Sequence, residues 1–290
     1  MSISLHSAPP IVLTIAGFDP SCGAGIAADL KTIAAHNCYG VAAVTALTAQ
    51  STQGVKSTQI IAAPALRAQI ETLLEDVQVA AVKIGMLGSR GNVAAVVELL
   101  DSAKLPNVVL DPVMRSTAGD VELLDAGGVK LLRDELIRRV TLVTPNIAEA
   151  QLLLGMEIKD VAGMEEAAKK LVERGAGAAL VKGGQLEKPV DVLFDRIETL
   201  RFGGEKVRSE NTHGSGCTLS SAIAAELALG KPLREAVLLA KVYVTRAIAH
   251  SYPVGKGAGP LNHFFRTQVE QAPRGVHSEE LHPVHPPAEQ

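Results

Sequence analysis

The chain has 290 residues and a net charge of −3, with 28 basic against 31 acidic side chains. It therefore carries no basic footprint for nucleic acid and no lysine or arginine run for a membrane surface, and no apolar stretch reaches the roughly eighteen residues of a spanning helix. With 47% apolar, 20% charged and 3% aromatic residues and no tryptophan, any core must be built from Ala, Val, Leu and Ile.

In chain order, the apolar run 11–16 (IVLTIA), stopped by Gly17, predicts a buried strand. The loop GFDPSCGAG leads into a helix over 26–37. A second strand at 41–48 runs into the polar loop AQSTQGV, followed by a helix over 64–76. A third strand at 80–84 ends in Gly85-Met86, with a helix at 91–101, and a fourth at 107–111 precedes a helix over 125–138. The fifth strand, 141–144, is followed by PNIAEAQLLLG, where Pro145-Asn146 is a good helix entry and Gly155 a good exit. Another helix spans 163–174. The sixth strand, 178–182, ends in Gly183-Gly184, and 190–195 with 197–202 form a hairpin. A glycine loop then enters a helix ending at Gly230, and a long helix covers 233–250.

Strands alternating with helices predict a mostly parallel sheet covered on both faces. The expectation is one three-layer α/β/α domain over 1–271. From Ala272 onward the prolines, histidines and charges cannot bury a core, so 272–290 reads as a disordered tail, with His282 and His285 solvated. Cys22, Cys38 and Cys217 are an odd, widely spaced set without metal-ligand pattern and read as free thiols in a reducing compartment. The opening MSISLHSAPP lacks the basic and apolar regions of a secretion signal, so a cytoplasmic location is expected.

The most informative stretch is Asn211–Gly230, NTHGSGCTLSSAIAAELALG. A glycine loop turning into a helix start aims unpaired N–H groups and the positive end of the dipole at one point, which suits phosphate. Cys217 at the helix mouth would have a lowered thiol pKa. A tight turn capped by Thr212 or Ser215, with Cys217 as a small buried hydrophobe, fits this stretch equally well.

In open parallel sheets ligands bind at the carboxyl ends of the strands, and polar residues and glycines gather there: Gly17 and Asp19, Gln50, Gly85-Met86, Asp111, Asn146 with Glu149, and Lys182-Gly183-Gly184. Asp111 alone could be a turn residue before Pro112, and Asn146 and Glu149 alone a helix start. Together the three suggest oxygen ligands for a hard cation such as Mg2+. Lys182 is either a point charge near a phosphate or a strand-end lysine. There is neither GxxxxGK[ST] nor GxGxxG, so no P-loop or dinucleotide fingerprint is supported.

The segments TIAGFDPSCGAGIAADLKT, TALTAQSTQGV, KIGML, VVLDPVM, TPNIAEA, VKGG, NTHGSGCTLSSAIAAELA and GKGAGPLNHF, in order and over 11–266, resemble the hydroxymethylpyrimidine/phosphomethylpyrimidine kinases of the ribokinase-like superfamily. The resemblance implies ATP-dependent phosphorylation of 4-amino-5-hydroxymethyl-2-methylpyrimidine and then of its monophosphate, in thiamine biosynthesis. It places Gly214, Ser215, Gly216 and Cys217 around the transferring phosphoryl group, with Cys217 as the base where many sugar kinases carry aspartate. Gln50 would read the aminopyrimidine, one acceptor and two donors facing a ring amine and nitrogen. Gly17, Asp29, Met86 and Val113 would surround the substrate. Lys182, Thr212 and Asn146 would hold the nucleotide phosphates, and Asp111 and Glu149, with Asn146, would hold Mg2+ and phosphate. The same resemblance suggests a homodimer.

Phe18 and Cys22 depart from the family, whose members carry Thr or Ser and Gly there. Two rival readings stand beside the main one. A pyridoxal kinase would share the loop and cysteine but carry Met or another non-amide residue in place of Gln50. A catalytically dead ligand-binding protein could share the fold.

Overall fold

The computed structural model describes residues 8–116 and 121–267; the expected tail, with His282 and His285, lies outside them. Among the described residues, nine strands form one sheet in the order β3-β2-β1-β4-β5-β6-β7-β8-β9. The strands are β1 (Ile11–Phe18), β2 (Tyr39–Ser51), β3 (Gly54–Ile60), β4 (Val79–Ile84), β5 (Val108–Leu110), β6 (Leu142–Val143), β7 (Ala178–Val181), β8 (Val190–Phe194) and β9 (Thr199–Gly203). The six central strands from β2 to β7 run parallel. Antiparallel hairpins flank them, β3 on one edge and β8–β9 on the other.

The helices are α1 (Gly25–Ala35), α2 (Ala63–Asp76), α3 (Arg90–Ser102), α4 (Ala126–Leu131), α5 (Ile147–Leu154), α6 (Val161–Glu173), α7 (Ser215–Ala228) and α8 (Leu233–Ala249). They cover both faces, as central strands buried at nearly every position require. Leu13, Ile15, Val82, Ile84, Val108 and Leu110 pack into one core with residues of α2, α3, α5 and α6. Val12, Ala81 and Val109, one residue out of phase, pack into a second core with α7 and α8. The mostly parallel three-layer architecture expected from the sequence is the one found.

Two elements differ from expectation. The polar loop after the second strand is instead the turn of a hairpin, with Ser51 paired to Gly54 and Ala46 to Ile60. Its outer strand, GVKSTQI, is largely exposed and alternates without a buried face, so it lacks the apolar signal of a strand. The helix expected over 125–138 is α-helical only through Leu131. A π turn (Leu132–Leu136) and a 3-10 turn (Ile137–Arg139) complete it. The wider turn brings Leu132, Leu136 and Ile137 all into the core, which 3.6-residue spacing would splay.

Candidate active site

The helix that closes the site, α7, starts from Gly214 in the left-handed region (φ 80°) and has no side-chain cap. Neither Thr212 nor Ser215 supplies one: the Thr212 carbonyl accepts the Ser215 N–H at 3.2 Å. Any β-carbon at Gly214 would run into the Gly23 carbonyl, so the two glycine loops press backbone against backbone. The Gly216 and Cys217 amides, second and third of the helix, are among the orphan donors that a helix start leaves. They stay open as the donors that an anion would take at this turn.

Charged groups converge on it from the strand ends. A β-carbon at Gly216 would sit 3.2 Å from Lys182 Nζ and 3.8 Å from Asp111 Oδ2, while Lys182 Nζ donates to Asp111 Oδ1 at 2.6 Å. Burial works against the Lys182 ammonium, but Asp111 and Glu149 hold it above its ordinary range. Asn146 and Glu149 form a capping box, Glu149 N–H to Asn146 Oδ1 at 2.9 Å and Asn146 N–H to Glu149 Oε2 at 2.8 Å. The helix-start reading of this pair is thus correct in geometry, and the Glu149 carboxyl still feels the Lys182 and Asp111 charges. Burial, opposed by Lys182 and reinforced by the Asp111 charge, pushes the Glu149 carboxyl up to about 7.

Cys217 corrects the expectation of an acidic thiol. Burial pushes it up to about 11; Lys83 pulls it down, Asp111 and Asp29 push it further up, and the Gly25 N–H favours the thiolate. The helix start is there, but enclosure outweighs it.

Under the thiol lies a group the sequence did not single out. Lys83, in KIGML, is fully buried and donates to Asp29 Oδ1 at 2.9 Å and Oδ2 at 2.8 Å. Asp29 also accepts from Thr14 Oγ1 at 2.7 Å and from Ser221 Oγ at 2.8 Å. Asp29 is 0% exposed with both oxygens occupied, so it sits in a ring that joins β1, β4, α1 and α7 beneath the site rather than on its surface. Ser221 is four residues after Cys217, on the same helix face.

The other wall is apolar. Gly17 brings its α-carbon against Met86, where a β-carbon would lie 3.0 Å from Sδ. Met86 clusters with Ala46, Leu123 and Val113, and Thr45 Oγ1 donates to the Met86 carbonyl at 2.6 Å. Above this wall, Gln50 on β2 lies 3.2 Å from His213 Nε2, and His213 Nε2 lies 2.8 Å from Asp19 Oδ2. Burial opposes the Asp19 charge, yet hydrogen bonds from His213, Ser21 and Ala24 hold its carboxyl below the usual range. A carboxylate only accepts, so His213 Nε2 carries the proton and cannot also accept from the Gln50 amide nitrogen. With the Gln50 oxygen turned to His213, the single Nε2 proton is shared between Asp19 and Gln50, and the Gln50 nitrogen donates to Thr48 Oγ1, whose proton goes to the Phe18 carbonyl. His213 was missed because a histidine between a threonine and a glycine carries no periodic signal.

Cys22 adopts φ 58°, a left-handed conformation that favours glycine. The family's usual glycine at this position therefore has a backbone reason here.

The family model described as phosphomethylpyrimidine kinase matches residues 19–262. The chain belongs to this family. It is 42% identical over 261 residues to the hydroxymethylpyrimidine/phosphomethylpyrimidine kinase of Synechococcus elongatus, covering 89% of this chain and 98% of that protein. It is 44% identical to the thiamine biosynthesis bifunctional protein ThiED of Geobacter sulfurreducens over 89% of this chain, spanning only about half, 53%, of that longer protein. Among solved structures, an ADP complex of Bacillus subtilis pyridoxal kinase superposes with a TM-score of 0.81 at 37% identity, covering 88% of this chain and 98% of that one. The family is a kinase family, and its names favour the pyrimidine over the pyridoxal reading.

Proposed function

We propose that this kinase transfers the γ-phosphoryl group of ATP to the hydroxymethyl group of 4-amino-5-hydroxymethyl-2-methylpyrimidine, and then a second phosphoryl group to the monophosphate. The observation that carries this reading is the convergence of Lys182, Asp111 and Cys217 on the open amides at the start of α7. Phosphoryl transfer is catalysed chiefly by positioning and charge stabilisation. The Gly216 and Cys217 amides supply donors for the equatorial oxygens, and Gly214 and Ser215 shape the turn that aims them. Lys182 adds the cation that follows the moving charge, beside Thr212 and Asn146 at the nucleotide phosphates. Cys217 takes the hydroxymethyl proton through its thiolate form, which the Lys83 ammonium and the Gly25 N–H favour against burial.

The donor set suits Mg2+: buried Asp111 and half-buried Glu149 are two carboxylates beside one lysine, a local excess of negative charge, and both are hard oxygen ligands. Bound there, the cation would neutralise phosphate charge. Gly17, Met86 and Val113 offer a flat apolar wall for a pyrimidine ring, and Gln50 faces its polar edge. Asp29 supports this wall from below. The three free cysteines and the absence, among the described residues, of a helix long and apolar enough to cross a membrane support a cytoplasmic enzyme. The exposed Tyr39, Leu47 and Ile60 on the β2–β3 edge support a homodimer.

The likeness to a pyridoxal kinase keeps one competitor substrate in view. Incubation with ATP, Mg2+ and either the hydroxymethylpyrimidine or pyridoxal, with products identified by mass, tests the reading. Mono- and then diphosphorylated pyrimidine are expected; phosphorylation of pyridoxal alone would move the protein to vitamin B6 chemistry.

A further inference from the structure

The turn that presents Lys182 is held from behind by a buried ion pair remote from the reacting groups. Asp191, on β8, is 4% exposed. Its Oδ1 accepts the Gly183 N–H at 2.9 Å and its Oδ2 pairs with Lys241 Nζ of α8. On the other side of the same turn, the Lys182 N–H donates to the Pro145 carbonyl at 2.8 Å. Gly183 has no room to drift: a β-carbon there would run into the Val190 carbonyl and lie 2.8 Å from Met164 Cε. The backbone on both sides of Lys182 is therefore clamped, one peptide by the Pro145 carbonyl just past β6 and the next by a carboxylate.

We propose that Asp191, charge-matched by Lys241, is a positioning residue for nucleotide phosphate binding, acting through the direction it imposes on Lys182. The side chain of Lys182 reaches Asp111 and the start of α7 only if the chain leaves Lys182 at the angle that the Gly183 amide fixes. A neutral carboxylate replacement loses the match to Lys241 and loosens that amide. A carboxylate deep in an α/β layer is otherwise an expense with little structural gain, because an apolar residue packs there at lower desolvation cost. This inference rests on the reading of Lys182 as the phosphate cation.

The test compares the full chain with Asp191→Asn, Lys182→Met and the double variant, measuring steady-state kinetics and calorimetric binding of a non-hydrolysable ATP analogue with Mg2+. Asp191→Asn is expected to raise the analogue Kd and the KM for ATP about tenfold, and adding it to Lys182→Met should cost little more, because coupled residues are non-additive. The KM for the pyrimidine should stay within about twofold, which general loosening would not allow. Full additivity, or equal rises in both KM values, overturns the proposal. Should Asp191→Asn not fold, Lys241→Met is judged by the same criteria. Wild-type protein that binds the analogue but phosphorylates neither pyrimidine nor pyridoxal would remove the proposed function, and the analogue Kd alone would then decide this proposal.

Discussion

His213 and Asp19 stand 194 residues apart and meet at 2.8 Å, tying the loop after β1 to the turn before α7. Through its second neighbour, Gln50, the same imidazole also reaches the β2–β3 hairpin. Three segments around the proposed substrate wall thus share one side chain.

Replacing His213 with Ala should free Gln50 and leave Asp19 without its strongest lowering partner. The expected result is a rise in the pyrimidine KM of about tenfold with a smaller change for ATP, since the lost contacts border one substrate only. Steady-state titration of each substrate at saturating levels of the other measures this. Equal rises would assign His213 to holding the α7 turn.

Gln50→Leu removes the amide while keeping the volume. Loss of discrimination between pyrimidine and pyridoxal is expected, because a ring amine left unpaired in a closed site is penalised by about 1–3 kcal/mol. The ratio of kcat/KM for the two substrates is the readout. If it does not move, Gln50 serves only the Thr48–His213 network.

Cys217→Ala should separate the two phosphorylations. The first acceptor is an alcohol and must lose a proton, so the rate should fall roughly 10²-fold or more. The second acceptor is a phosphate, already anionic near neutral pH because its second pKa is about 6, so that step should fall far less. Product masses against time give both rates. With the thiol pushed up to about 11, alkylation of Cys217 in the free protein should also keep accelerating well beyond an ordinary thiol's midpoint. Equal losses in the two steps would place Cys217 in the anion site rather than as the base.

The alternation of apolar runs and glycine-bounded helices made the parallel core legible, since buried strands such as 11–16 and 80–84 carry their signal in every residue. The edge was not legible: GVKSTQI pairs by backbone, and its side chains face water. At the site, glycines and strand-end acids could be read because backbone geometry demands them. Gly214, Gly216, Lys182 and Asp111 do converge. Long-range polar partners could not be read. Nothing local in KIGML says that Lys83 lies beneath Cys217, or that Asp29, matched by resemblance to a substrate contact, would have both oxygens filled. The direction of the Cys217 shift failed for the same reason, because burial is a property of the assembled fold.

Lys83→Met leaves Asp29 as an uncompensated buried carboxylate and should destabilise the fold by about 3–5 kcal/mol. Lys83→Met combined with Asp29→Asn should recover part of that loss, as the unpaired charge disappears. Denaturant unfolding of both variants checks it; a double variant less stable than the single would show that the Thr14 and Ser221 bonds, not the charge, dominate.

Glu149 gives a prediction with a definite sign. Its folded pKa, about 7, lies above its ordinary 4.5, so the folded state retains a proton that the unfolded chain has already lost. Stability from this group is therefore full below the unfolded value and falls as pH rises toward the folded one. Thermal unfolding without Mg2+ should show this decline between about pH 4.5 and 7, and Glu149→Gln should flatten it. If Asp111 and Glu149 hold Mg2+, as proposed, the cation favours the ionised form and should raise the melting temperature more at about pH 7.5 than at pH 5, because only ligand bound to the folded state stabilises. An equal Mg2+ effect at both pH values, or one unchanged in Glu149→Gln, would exclude Glu149 as a ligand.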